Sequence, residues 1–287
     1  MSVPVAAEKL TTIGTLPVTN ALVTAWIVVA LFLVFAFLLS RNRREVPRGI
    51  QNAFEAFTEY ALNFMDQVTH DRARSRKFLP IVGTLFPLIL VSNWMGLLPG
   101  VSTIGIWGLV HGEKELIPLI RPAMSDLNMT LALGISSVVI SHIFGIMTLG
   151  VLKHWGKFIQ IEGIARALFA IIKKPSGAAA MGLFTALIEL GVGFIELISE
   201  AAKMISLSLR LFGNIFAGEV LLHVLSSLMA WLMPTPFMFM ELIVGIVQAL
   251  VFSMLTLVYL TLATEKPHGS EHAEQAIGHS DAVHATG

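Results

Sequence analysis

Ser206-Leu-Ser-Leu-Arg210-Leu-Phe-Gly-Asn214 decides how this chain is read, because it sets a guanidinium inside an apolar run extending from Ala178 to Trp231. About 20 residues suffice to cross a hydrocarbon core about 30 Å thick, so the long helix this run predicts must tilt strongly, kink or lie partly in the membrane plane. Arginine near the middle of a membrane helix costs about 2.5–3.5 kcal/mol on insertion scales. Losing its proton offers no escape, since its pKa lies above about 12. Such a residue calls for a partner carboxylate, a water-filled path, or both.

Working outward, Glu189, Glu196, Lys203 and Arg210 recur at intervals of seven residues. On a helix each is displaced only about 20° from the last, so the four form one polar stripe. Glu200 stands three residues from Lys203 and reads with it as a structural ion pair that neutralises the stripe. Asn214 lies one turn beyond Arg210 on nearly the same face, whereas Glu219 points about 180° away. His223 follows Glu219 by one turn, and Glu241 and Gln248 share a face of the next helix. Asn214 and Gln248 also suit plain interhelical hydrogen bonds. Ionisable groups clustered in two adjacent apolar helices nevertheless read as a conduction path.

The whole composition agrees with a membrane setting. Of 287 residues, 55% are hydrophobic and 13% charged, with a mean hydropathy of +0.77, which excludes an ordinary soluble domain. Nineteen basic side chains balance nineteen acidic ones, so no global field recruits nucleic acid. The lack of cysteine removes disulfides, thiolate metal sites and cysteine nucleophiles. No phosphate-binding G-x-x-x-x-G-K-[ST] loop is present, so nucleotide chemistry would belong to a partner.

Hydropathy predicts an all-α integral membrane protein of about five membrane helices, near residues 21–40, 78–98, 127–152, 178–231 and 237–264. An amphipathic helix over 50–68 should lie at the surface, with Phe54, Phe57, Tyr60, Ala61 and Phe64 on one face. Arg41, Arg43, Arg44 and Arg48 follow the first span, and Arg72, Arg74, Arg76 and Lys77 precede the second. That puts this side in the cytoplasm and residues 1–20 outside. The first apolar run is too long and too far from the start for a signal-peptide core, so it reads as a retained helix. Pro80 and Pro87 should bend the second span.

Residues 99–125, rich in proline and glycine, read as an outer loop, and Pro234 and Pro236 break the long run before the last helix. Lys153, Lys157, Arg166, Lys173 and Lys174 mark a second cytoplasmic loop, in which Ile164 to Ile172 reads as an interfacial segment. Residues 265–287 carry four of the nine histidines without regular ligand spacing and read as a disordered, solvated cytoplasmic tail.

Five segments together bear a resemblance. Ser206 to Asn214, Ala217-Gly-Glu219, Asn93-Trp-Met-Gly-Leu-Leu-Pro99, Asp126-Leu-Asn-Met-Thr130 and Leu255-Thr-Leu-Val-Tyr-Leu260 resemble the signature segments of subunit a of the F-type ATP synthase. The resemblance covers roughly residues 22–265, and the Arg210 segment is its most specific part. It implies a proton-channel stator in which two offset half-channels carry protons to and from the carboxylates of a rotating c-ring.

The last two helices would form a tilted hairpin against that ring, in the inner membrane of a bacterium. Arg210 matches the arginine that faces the ring carboxylate and separates the half-channels, with Asn214, Gln248 and Ser206 beside it. Those three, with Glu219, Glu196, Glu241, Asp126 and His223, fall on the proton path. Further partners implied are the peripheral-stalk subunit b, membrane lipid and, only indirectly, the catalytic head; neither cofactor nor metal is expected. Glu219 and Glu241, as two facing carboxylates, should titrate as a coupled pair with His223 or a water between them.

Three alternatives remain at this level. A Na⁺-coupled version of the same stator differs mainly in ring residues that lie outside this chain. A secondary transporter would use Arg210 to bind an anionic substrate, but would call for internal repeats and broken helix ends near the arginine, and neither is evident. A structural anchor would use its buried charges only to pair with other subunits.

Overall fold

The computed structural model describes residues 7–41, 49–98, 100, 104–110, 113–156, 177–229 and 232–265. A small antiparallel hairpin opens it, β1 (Lys9–Ile13) with β2 (Leu16–Thr19). The helices α1 (Asn20–Arg41), α2 (Ile50–Thr69) and α3 (Arg72–Met95) follow. A second hairpin joins β3 (Gly105–Val110) to β4 (Glu113–Pro118), and a 3₁₀ turn (Ala123–Ser125) leads into α4 (Leu127–Leu149). After the short α5 (Val151–Trp155) come α6 (Gly177–Leu228) and α7 (Pro234–Thr264).

Five of these helices, α1, α3, α4, α6 and α7, are long and apolar enough to cross a bilayer. On α1 the large side chains Trp26, Leu33 and Phe37 stand more than half exposed, as suits a helix whose solvent is lipid. The chain is therefore an all-α integral membrane protein, with small strands only outside the spans.

Several boundaries differ from the hydropathy reading, each for a local reason. The second span begins at Arg72, because the Asp71 carboxylate caps the helix by accepting from the Ala73 amide at 2.8 Å. In its basic first turns Arg74, Arg76 and Lys77 are exposed, while Arg72 turns to the carboxylates of α2. Residues 99–125 are more than a loop: Ile106, Trp107, Leu116 and Ile117 are strand formers, and they pair in register across β3 and β4. The fourth helix stops at Leu149, where Gly150 takes a positive φ of 85°. The last helix starts at Pro234, since proline is tolerated in a first turn. Ile164 to Ile172 and the tail beyond Glu265 lie outside the described residues.

The chain forms two compact units, residues 1–138 with 203–258 and residues 139–202 with 259–287. In the first unit, α6 buries Leu207, Leu211, Ile215 and Gly218, and α7 buries Glu241, Gly245, Ala249, Phe252 and Thr256. Both series follow the helical period, so each helix turns one stripe inward. Buried hydroxyls bond to the carbonyl one turn back, as Ser208 does to Met204 O and Thr256 to Phe252 O, at 2.8 and 2.9 Å. That satisfies a polar group without a partner helix. The second unit buries Ser141, Gly145, His154, Leu260, Thr261 and Thr264.

Candidate functional site

The site in the first unit is built from a segment that carries little helix at all. Between β4 and the 3₁₀ turn, the chain is fastened to the start of α1. Asn20 Nδ2 donates to Pro118 O at 3.3 Å, and the Arg121 amide donates to Thr24 Oγ1 at 3.2 Å. Asn20 and Thr24 are both fully buried. Pro122 packs directly against Gly96 at the end of α3. These contacts fix Arg121, only 4% exposed, with its side chain aimed at α6.

Arg121 meets Glu219 there through two nitrogens, with Nε 2.9 Å from Oε1 and NH2 3.0 Å from Oε2. This is a fork-on-carboxylate pair with the Glu219 side chain 22% exposed. Asp126, five positions after Arg121, is also buried and opens α4, its Oδ1 accepting from the Asn128 amide at 2.9 Å.

One residue before Glu219, Gly218 makes room for a second carboxylate. A Cβ at Gly218 would sit 2.3 Å from the Glu241 carboxyl, so only glycine admits the side chain in this position. Glu241 is 7% exposed, and its Oε1 has no hydrogen-bond partner among the described residues. The α7 backbone next to it is held by α3, where Trp94 Nε1 donates to Leu242 O at 3.2 Å. Asn93 beside that tryptophan is buried, and neither polar atom of its side chain has a partner among the described residues. Buried polar groups left in this way are uncommon in folded proteins.

Arg210 lies on the opposite side of α6. It is exposed together with Ser206, Gly213, Asn214 and Ala217, a series of small and polar residues one turn apart, flanked by Leu209 and Leu221. Gln248 is half-buried on α7, and His223 is exposed. Among the described residues the side chains of Arg210, Asn214, Gln248 and His223 make no hydrogen bond. The structure thus brings Glu219 and the Glu241 environment to the packed face of α6 and leaves Arg210 and Asn214 on its open face. In the second unit, Glu196 and Glu200 are half-buried, and Glu200 meets His142 Nε2 at 3.6 Å. Lys203, also half-buried, begins the later part of α6 in the first unit. Among the described residues no group of His, Asp and Glu is arranged to hold a metal ion.

Arg121 is the residue that sequence reasoning missed. Its signal was an arginine in the apolar series Leu119-Ile-Arg-Pro-Ala-Met124, which the surrounding prolines disguised as loop. Its carboxylate partner lies 98 positions further along the chain, beyond any local pattern.

Comparison with known proteins gives consistent results. A family model described as ATP synthase A chain matches residues 22–261. The chain is also similar to the ATP synthase subunit a of Moorella thermoacetica, with 30% identity over 248 residues that make up 86% of this chain and 92% of that protein.

Proposed function

The chain belongs to the ATP synthase A chain family, and from that premise we propose how its residues move protons. It is a proton-channel stator of an F-type ATP synthase, working in the membrane within that complex; the Na⁺-coupled version is not favoured.

The observation that carries the detailed reading is the open face of α6, where Arg210 and Asn214 stand exposed among Ser206, Gly213 and Ala217. A permanent cation on a spanning helix needs an anion, and small neighbours let another helix approach closely. The anion is a succession of carboxylates on a rotating c-ring. In lipid each ring carboxylate is neutral, because burial disfavours its charged form. Beside Arg210 the ionised form is favoured, so the proton is released. Lysine would serve poorly, since desolvation can strip its proton and its point charge lacks the planar fork. The same cation blocks direct passage between the half-channels, a leak that would waste about 2.3 kcal/mol per proton per 100 mV.

Protons enter from the outer side along Asp126, Glu219 and Glu241, with Arg121 setting the field at Glu219. Asn93, whose side-chain amide has no partner among the described residues, suits the wall of such a wet path. Glu196 lies on the path, His223 serves Glu219 from one turn away, and Gln248 and Ser206 line the approach to Arg210. Subunit b docks against the same stator to hold it still. The basic clusters after α1 and at the start of α3 support a cytoplasmic placement of that side in a bacterial plasma membrane, with the N-terminus outside and the C-terminus inside.

The deciding experiment replaces Arg210 in the assembled complex. Arg210→Ala should abolish proton-driven ATP synthesis in vesicles while the complex still assembles. Continued synthesis at the unsubstituted rate would overturn the reading.

A further inference from the structure

In the second unit three side chains outside the proton path assigned above lie together. His142 on α4 places Nδ1 3.1 Å from Nε2 of His154 on α5, the two rings edge to face with centroids 5.3 Å apart. The other ring nitrogen of His142, Nε2, faces Glu200 Oε2 at 3.6 Å. His154 is only 2% exposed, held by the turn that ends α4, where its amide donates to Gly150 O at 3.0 Å. A Cβ at Gly145 would lie 2.5 Å from the His154 ring and 2.7 Å from Ala263 O, so this glycine lets the imidazole and the end of α7 close in. The His142 side chain itself is 31% exposed. The arrangement is therefore graded: a buried histidine, a partly exposed one, and a carboxylate.

We propose that Glu200 and His142 are a proton-transfer pair on the cytoplasmic exit path, with His154 as the residue that positions His142. The proposal rests on the stator reading and assigns residues to its exit side. Two features place the pair there. Glu200 lies ten residues before Arg210 on the same helix, and His142 stands seven residues before the end of α4, which runs into the basic residues Lys153 and Lys157.

The chemistry balances in two steps. Glu200, carrying a proton, gives it to Nε2 of neutral His142, leaving a carboxylate and an imidazolium. The imidazolium then passes the same Nε2 proton to water on its exposed side and returns to neutral. Throughout, the hydrogen bond from Nδ1 to His154 keeps the second nitrogen occupied, so Nε2 is the one that accepts and releases. A gap of 3.6 Å closes to transfer distance through a small side-chain rotation or one bridging water. Glu196 and Lys203, one turn to either side of Glu200 on α6, Tyr259 near the α7 end that packs at Gly145, and Glu265 just beyond that end are the nearby charged or titratable groups.

The test uses the whole ATP synthase complex in vesicles, with passive proton flux measured after removal of the catalytic head and assembly quantified in the membrane. His142→Ala should lower flux about tenfold, equivalent to about 1.4 kcal/mol in the barrier. Imidazole added on the exit side should restore it. Glu200→Gln should show the same loss, and Glu200→Asp should recover most of it. Wild-type flux in His142→Ala, or a loss that imidazole leaves untouched in fully assembled complexes, would overturn the proposal. If His142→Ala does not assemble, the glutamate pair decides: equal flux in Glu200→Gln and Glu200→Asp overturns it, and loss with recovery supports it. Proton-driven ATP synthesis by intact Arg210→Ala complexes, measured alongside, separates the two levels. No synthesis by Arg210→Ala together with wild-type His142→Ala flux removes only the relay, whereas continued synthesis by Arg210→Ala removes the stator reading itself.

Discussion

At the scale of single residues the site rests on two unequal carboxylates. Glu219 is answered by Arg121, while Glu241 is enclosed beside Gly218 with one oxygen unbonded among the described residues. Removing one partner of a buried ion pair typically costs about 3–5 kcal/mol, because the other charge is left without compensation. Arg121→Ala should therefore lower the thermal stability of the solubilised chain and abolish proton flux. Arg121→Lys should keep part of the flux, since it preserves charge and loses the two-nitrogen fork. Equal behaviour of the two variants in a flux assay would show that the fork has no role.

Gly218 gives a second check. Gly218→Ala places a methyl where the Glu241 carboxyl now sits, an overpacking that costs about 1–3 kcal/mol. Flux should fall about tenfold, equivalent to about 1.4 kcal/mol. Adding Glu241→Asp, which withdraws the carboxyl by one methylene, should recover it; no recovery would mean the contact is unimportant. Glu219, Glu241 and Arg210 could all be picked out from sequence because an ionisable residue in an apolar run is conspicuous. Arg121 could not, because its meaning lies in a partner from a distant element.

At the scale of elements, the corner between α2 and α3 shows how a surface helix is tied to a spanning one. Arg72 reaches Glu59, Asn63 at 2.9 Å and Asp66 at 2.6 Å, so three residues of α2 converge on one cation at the start of α3. Farther along the two helices Phe57 stacks on Phe86, with ring centroids 6.2 Å apart. The Ser75 hydroxyl, and then the Arg72 guanidinium, hold the Asp66 carboxyl below the usual carboxylate range. A carboxyl lowered on folding stabilises the fold above its unfolded pKa of about 3.9, and that contribution disappears as the pH falls through the folded value. Amide protection in α2, taken relative to the intrinsic exchange rate at each pH, should therefore fall below about pH 3.9. Asp66→Asn should exchange faster at neutral pH and lack the acid step. A profile unchanged by the substitution would exclude Asp66 as the cause. The amphipathic period over residues 50–68 made α2 legible, whereas the clamp was not, since it needs the turn at His70, with φ at 52°, to bring the two helices together.

At the scale of the whole molecule, α6 divides the work between its faces: one packs against the chain's own helices and the other presents Arg210 outward. Ala217→Trp on the open face should leave stability nearly unchanged, as exposed substitutions typically stay within about 0.5 kcal/mol. It should nevertheless suppress ATP synthesis by the complex, because the added ring occupies the surface where a partner helix approaches. Normal synthesis would mean that this face is not the working interface. The membrane class, the number of spanning helices and the prominence of Arg210 followed from the chain's own order of residues. Transfer into lipid is a local property, summed over about 20 neighbours, and a charge that opposes it stands out without any knowledge of the fold. The pairing of Arg121 with Glu219, the niche that Gly218 opens for Glu241, and the meeting of His142, His154 and Glu200 required the packed chain. Each joins residues from different elements, and the sign and reach of a buried electrostatic contact depend on distance and surroundings that no local pattern encodes.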